Sequence, residues 1–200
     1  MKSFTELLEG VYDPNIFKAF FMAGGPGSGK SFAVQKGIGQ VQKGVRVTAQ
    51  GLKVVNSDDI FEKYLKDAQL DFKMQAGQKS ERDKLRTKAK EVTRKRQDNY
   101  IEGRLGMVID GTGKDYGKIT TQASGLKQLG YDVHMVFVNT SLDVALERNT
   151  QRPRQVPEKI VKDSWNQVQK NIGAFQRFFG NKNFIIVDNN DIGDDVFGMV

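Results

Sequence analysis

Two hundred residues is the length of one ordinary domain, enough to bury a core and too short for a multidomain scaffold or a long repeat array. The chain has no cysteine, which excludes a disulfide framework, a thiolate metal site and a cysteine nucleophile. A formal net charge of +7 and 21 glycines favour an anionic partner and a backbone rich in tight turns.

The N-terminal residues combine early acids with a short apolar run, unlike a secretory signal, and no stretch approaches the roughly 18 apolar residues of a membrane helix. A single cytoplasmic domain over 1–200 is the expectation.

An apolar run over 17–23 predicts the first strand, and it leads directly into GGPGSGKS at 24–31. This fits G-x-x-x-x-G-K-[ST], and a helical pattern follows over 30–42. The glycines let successive backbone N–H groups turn inward at a helix N-terminus and cradle phosphate. Gly24, Gly25, Gly27, Ser28, Gly29, Lys30 and Ser31 are therefore the candidate nucleotide contacts. Lys30 would reach the β and γ phosphates and the Ser31 hydroxyl would ligate Mg²⁺. A nucleoside triphosphate with Mg²⁺ is implied, and the lack of an N/T-K-x-D guanine-reading motif points to ATP.

A second strand over 53–57 ends in NSDDIF, placing Asp58 and Asp59 at the carboxyl edge of the sheet before a helix over 58–68. A carboxylate there can take the proton of an attacking hydroxyl, or simply cap the helix. Asp58 is the first candidate base; Asp59 is the second, or an acceptor contact. The next helix is predicted over 80–102. With its flanks, residues 79–104 hold ten basic and five acidic side chains, +5 of the chain's +7. Such a run is either a solvated face or a contact for a polyanionic acceptor such as nucleic acid.

A third strand over 106–110 brings Asp110 to the same edge, as a candidate to hold a Mg²⁺-bound water or to bind the acceptor. A helix over 116–129 and a strand over 132–138 follow. His134, the sole histidine, lies mid-strand and reads as structural. Thr140 is the expected N-cap of a helix over 141–149.

The segment LERNTQRPRQVP then carries Arg148, Arg152 and Arg154 in a loop imposed by Pro153 and Pro157. It reads as a lid over 148–157 whose arginines neutralise charge on a transferred phosphoryl group. Arg152 is the leading candidate. Arg148 is a further nucleotide contact or a helix C-cap, and Arg154 an acceptor contact. In a helix over 157–178, with Pro157 in its first turn, Val161, Trp165, Val168, Ile172 and Phe175 form one apolar stripe that marks Trp165 as core. The fifth strand, over 184–188, precedes Asn189 and Asn190, candidates to face the nucleotide base.

Apolar strands alternating with helices make an α/β chain with a parallel sheet. GGPGSGKS, NSDDIF, VIDGTGKDYGKITTQASGLKQLGYDVHMVFV and RNTQRPRQVP, in this order and spacing, resemble the zeta-toxin and polynucleotide-kinase branch of P-loop kinases, particularly small bacteriophage-encoded members. The likeness covers about 17–190. It implies a three-layer sandwich around a five-stranded parallel sheet of order 2-3-1-4-5, ATP as donor, and a hydroxyl as acceptor. It also implies Asp58 as base and Arg152 as lid arginine.

Two positions depart from the pattern. Phe61 stands where polynucleotide kinases often have arginine three residues after the catalytic aspartate, and Asp110 stands where zeta toxins usually have glutamate. The reading is thus an ATP-dependent phosphotransferase acting on a hydroxyl of a nucleotide-like or nucleic-acid acceptor. The alternatives are a zeta-toxin-like UDP-sugar kinase and a non-catalytic nucleotide-binding module that docks through its basic helix.

Overall fold

The structure, a computed structural model, describes residues 16–38, 46–70, 72, 78–152 and 155–190. Strands β1 (Lys18–Ala23), β2 (Lys53–Val55), β3 (Met107–Asp110), β4 (Asp132–Asn139) and β5 (Phe184–Asp188) pair in parallel in the order β2-β3-β1-β4-β5. Helices α1 (Lys30–Ala33), α2 (Asp58–Asp67), α3 (Lys79–Glu102), α4 (Tyr116–Gln128), α5 (Leu142–Thr150) and α6 (Glu158–Phe179) connect and cover them.

Side chains alternate across a strand, so β1 contributes to both faces of the sheet. Ala19, Phe21 and Ala23 join Met107, Met135 and Phe137 in a core closed by Ala123 and Leu126 of α4 and Val168, Phe175 and Phe179 of α6. Met22 and Phe20 point the other way, into a second cluster with Val108, Val136, Val138 and Ala33 of α1. This double coverage is why the strands read as continuous apolar runs. It also leaves the carboxyl ends of β1, β2 and β3 as the place where polar groups can converge.

The basic helix α3 packs chiefly against α2, and near its C-terminal end Tyr100 and Ile101 also reach the first core of the sheet. Ile60, Phe61 and Leu65 of α2 meet Ala89, with Leu85 and Val92 alongside, in a third small core. Most of the cationic side chains of α3 stay exposed; Arg82, only 7% exposed, is an exception.

Three sequence expectations shift. The helix after the phosphate loop is α-helical only over Lys30–Ala33 and widens to a π turn over Val34–Ile38, a stretch containing the weak helix former Gly37. The rest of the 30–42 expectation lies outside the described residues. Helix α5 is capped by Ser141, whose Oγ accepts from the Val144 N–H at 3.4 Å, and not by Thr140, whose hydroxyl is directed elsewhere. Pro157 is the N-cap of α6 rather than part of its first turn. No helix among the described residues is long and apolar enough to cross a membrane.

Phe175 is fully buried, with its ring 5.3 Å from Tyr116 and 6.3 Å from Phe179. Phe175→Ala should lower stability by about 3–5 kcal/mol in chemical denaturation. A loss under about 1 kcal/mol would show that α6 does not close this core.

Candidate active site

The chain leaves β1 at Ala23 and turns through residues 24–29 before α1 starts at Lys30. Gly27 and Gly29 adopt φ of 83° and 84°. A Cβ on Gly27 would lie 2.2 Å from the Ala145 carbonyl oxygen, and one on Gly29 2.1 Å from Asn189 Nδ2. Backbone conformation and close packing therefore both require glycine at these two positions.

The loop is braced from three strand ends. Thr140 Oγ1, just after β4, donates to the Ser28 carbonyl at 3.1 Å, and Asn189 Nδ2, just after β5, donates to the same oxygen at 2.8 Å. Gly24 N–H donates to the Thr112 carbonyl beyond β3 at 3.0 Å. Trp165 Nε1 of α6 donates to the Thr140 carbonyl at 2.7 Å, and the Trp165 backbone lies behind Gly25.

These contacts correct two sequence expectations. Trp165 is half-buried and lies outside the hydrophobic clusters, serving as a strut beneath the loop. Asn189 and Asn190, expected beside the nucleotide base, are bonded within the protein. Asn189 is buried under Ser28, while Asn190 Oδ1 accepts from the Ser141 N–H and its amide donates to Asp188.

Lys30 Nζ donates to the carbonyls of Gly24 at 2.7 Å and Gly25 at 3.2 Å. Burial holds its ammonium below the usual lysine range. Asp110 pulls it back up, Arg152 lowers it further and Asp58 raises it. The Asp110 carboxyl is raised above the usual aspartate range, first by burial and then by Asp58, against the lowering effects of Lys30 and Arg152. Four candidates widely spaced in sequence, Lys30, Asp58, Asp110 and Arg152, thus share one electrostatic neighbourhood at the sheet's carboxyl edge.

Asn56 links the two acidic strand ends. Its Nδ2 donates to Asp110 Oδ2 at 2.8 Å, while its Oδ1 accepts from the Asp58 N–H at 2.7 Å. Asp110 Oδ1 is buried and has no hydrogen-bond partner among the described residues. Asp58 Oδ1 accepts from Arg86 Nη1 of α3 at 2.5 Å, whereas Asp59 pairs with Arg46. Asp59 is therefore turned to a different cation from the one that meets Asp58.

Ser31 occupies the second position of α1 and is exposed. Arg148 sits beside Gly29, its Nη1 donating to the Asn189 carbonyl at 2.8 Å instead of capping α5. Arg152 is exposed beyond the end of α5. Arg154 lies outside the described residues.

Sequence reasoning missed Asn56, Arg86 and Asn149. Asn149 clamps the arginine-bearing loop, its Nδ2 donating to the Val156 carbonyl at 2.8 Å and its Oδ1 accepting from the Val156 N–H at 3.0 Å. The available signals were an Asn two residues before Asp58, which can close an Asx turn, and an Asn in a helix's last turn before a proline-rich loop. For Arg86 there was none, because its role depends on how α3 crosses α2.

The residues present suit a nucleoside triphosphate and a hard divalent cation. Glycines leave the loop backbone bare at Gly27 and Gly29, Lys30 Nζ reaches over it to the Gly24 and Gly25 carbonyls, and the Ser31 hydroxyl and Asp110 Oδ1 are oxygens of the kind a hard cation would take.

The zeta toxin family matches residues 13–194. A chain of the AvrRxo1-ORF1:AvrRxo1-ORF2 complex with sulphate ions superposes with a TM-score of 0.69 at 15% identity, covering 92% of this chain and 58% of that one. The same complex with ATP gives 0.69, 15%, 92% and 57%. The PezAT chromosomal toxin–antitoxin system of the human pathogen Streptococcus pneumoniae gives a TM-score of 0.59 at 16% identity, covering 86% of this chain and 68% of that one. The Pnkp1/Rnl/Hen1 RNA repair complex gives 0.58 at 16%, covering 80% and 47%. The chain therefore spans less than two thirds of the AvrRxo1 chains it matches. No curated protein matches it. At these identities the structural likenesses establish the fold, a P-loop kinase-like α/β sandwich.

Two outcomes follow from the geometry. Gly27→Ala should abolish nucleotide binding in calorimetry, because the added Cβ meets the α5 backbone at 2.2 Å; affinity within twofold of wild type would contradict this geometry. For Asp110, a raised pKa means that the folded state holds the proton more tightly than the unfolded chain. The fold therefore loses stability as pH climbs from the usual aspartate range through the raised value. Asp110→Asn should remove that slope in thermal unfolding without nucleotide or metal, and raise Tm at neutral pH. An unchanged slope would contradict it.

Proposed function

The chain belongs to the zeta toxin family of P-loop kinases, and from that premise we propose that it transfers the γ-phosphate of ATP to a hydroxyl of a nucleotide-like or nucleic-acid acceptor. The observation that carries this reading is the convergence of Lys30, Asp58, Asp110 and Arg152 on one edge of the sheet beside the phosphate loop. A nucleotide-binding module without chemistry would need the loop and Lys30. It would have no use for Asp58, a second carboxylate beside the one that would hold the metal.

In this reading the loop amides and Lys30 hold the β and γ phosphates, with Arg148 flanking the loop near Gly29. Ser31 and Asp110 would hold Mg²⁺, which, bound to the triphosphate, supplies charge neutralisation on the β and γ oxygens. Asp58 takes the proton of the acceptor hydroxyl as the oxygen attacks the γ-phosphorus. Arg152, at the root of the clamped loop, meets the charge spreading over the equatorial oxygens.

Asp58 is preferred to Asp59 because its charge acts on both Lys30 and Asp110, while Asp59 is paired with Arg46. The ATP-bound AvrRxo1 complex supports ATP as donor. A UDP-sugar acceptor remains the second reading, favoured by the family match itself.

The test is transfer of labelled γ-phosphate to a panel of 5′-hydroxyl DNA and RNA, nucleosides, nucleotides and UDP-sugars. Asp58→Asn should cut transfer by about 10²–10⁴-fold, with ATP affinity within a few-fold of wild type. Retained transfer would remove Asp58 from the mechanism. Lys30→Ala should weaken ATP binding itself, and an unchanged affinity would contradict the assignment of the loop.

A further inference from the structure

Gln78, Arg82 and Arg86 are spaced four residues apart at the start of α3 and so share one face of the helix. Arg82 is 7% exposed, and its Nε and Nη2 have no hydrogen-bond partner among the described residues. A guanidinium remains ionised in a protein, and burying it without an anion is far costlier than burying it beside one. Gln78 Oε1 is likewise buried and unpartnered. One face of α3 therefore carries, within two turns, buried guanidinium N–H donors and a buried amide oxygen that are unpaired among the described residues.

Arg86, one turn further on, lies over the Phe61 ring at 5.0 Å and donates to Asp58 Oδ1. The two side chains of that ion pair are 36% and 44% exposed, so water screens it and the pair is readily exchanged. A phosphate, able to accept two parallel N–H bonds from the guanidinium fork, is a better partner than one carboxylate oxygen.

We infer that Arg82 and Arg86 form a phosphate-reading pair for the acceptor, and that Arg86 leaves Asp58 when the acceptor's phosphate arrives. The inference rests on the kinase reading and narrows its acceptor to a hydroxyl compound that already bears phosphate. Such a compound offers an anion to Arg82 and hydroxyl donors to Gln78.

Arg86 is then a positioning residue that couples recognition to the base. Before the acceptor binds, one oxygen of Asp58 is occupied, so a stray water at the γ-phosphate meets a base already engaged. After it binds, the carboxylate is released to the acceptor hydroxyl.

The test titrates inorganic pyrophosphate into the full chain while a saturating non-hydrolysable ATP analogue fills the phosphate loop. Wild type should bind, and Arg86→Gln should weaken that binding by about tenfold or more with analogue affinity unchanged, a loss typical of a charge-assisted hydrogen bond. Arg86→Lys should recover part of it.

Arg82→Met should also weaken pyrophosphate while raising Tm, because it replaces a buried unpaired charge with an apolar side chain of similar length. A merely structural arginine would give the opposite change in Tm. Asp58→Asn should tighten pyrophosphate binding several-fold, and that gain should vanish when Arg86→Gln is also present.

No pyrophosphate binding by the wild-type analogue complex, or equal affinity in wild type and R86Q, overturns the proposal. Failure of the kinase reading shows separately, as absence of label transfer to every acceptor in the panel. A nucleoside diphosphate and a 5′-hydroxyl oligonucleotide, titrated in the same way, distinguish a small molecule from a polynucleotide as the source of the phosphate.

Discussion

The Ser28 carbonyl is the point on which the site hangs. It accepts from Thr140 Oγ1 and from Asn189 Nδ2, so the phosphate loop is fixed to the ends of β4 and β5 as well as to β1, from which it grows. Each bond is worth about 1 kcal/mol net, but their effect is geometric. A glycine-rich loop has many accessible conformations, and one that points several N–H groups inward is held only if its carbonyls are satisfied from outside. Trp165 extends the brace to α6 through the Thr140 carbonyl, and Arg148 extends it to α5 through the Asn189 carbonyl.

On that fixed loop the charges are set against their own solvation. Lys30 and Asp110 are both desolvated, and each is moved toward its neutral form by burial while the other opposes the shift. Without a triphosphate such an arrangement is costly, and the carboxylate oxygen of Asp110 that has no partner records that cost. A bound triphosphate with its cation would supply the missing partners. Stability and function are therefore opposed at this edge of the sheet, as is common where preorganised charge awaits a ligand.

Much of this was legible in the sequence, and the reasons differ by element. The strands could be read because two-sided burial writes continuous apolar runs such as AFFMA and MVI, and the loop because glycine is required where a Cβ would strike Ala145 or Asn189. Asp58 and Asp110 could be placed at one edge because parallel strands present their carboxyl ends together. The struts could not. Thr140 looked like a helix cap because Thr before a helix usually is one, and only the fold shows its hydroxyl turned to Ser28, 112 positions away. Trp165 fell on an apolar stripe, but its indole N–H sits where the stripe meets the loop. Arg86 was one cation among ten in its segment, and what sets it apart is a crossing of two helices that no local pattern encodes.

The central claim is that this edge of the sheet carries γ-phosphate to a hydroxyl. ³¹P NMR of the products formed as wild-type protein consumes ATP in the presence of phosphorylated acceptors tests it most directly. The account predicts one new phosphomonoester for each ADP formed, with little inorganic phosphate. ADP and inorganic phosphate in equal amounts, whatever the acceptor, would contradict it.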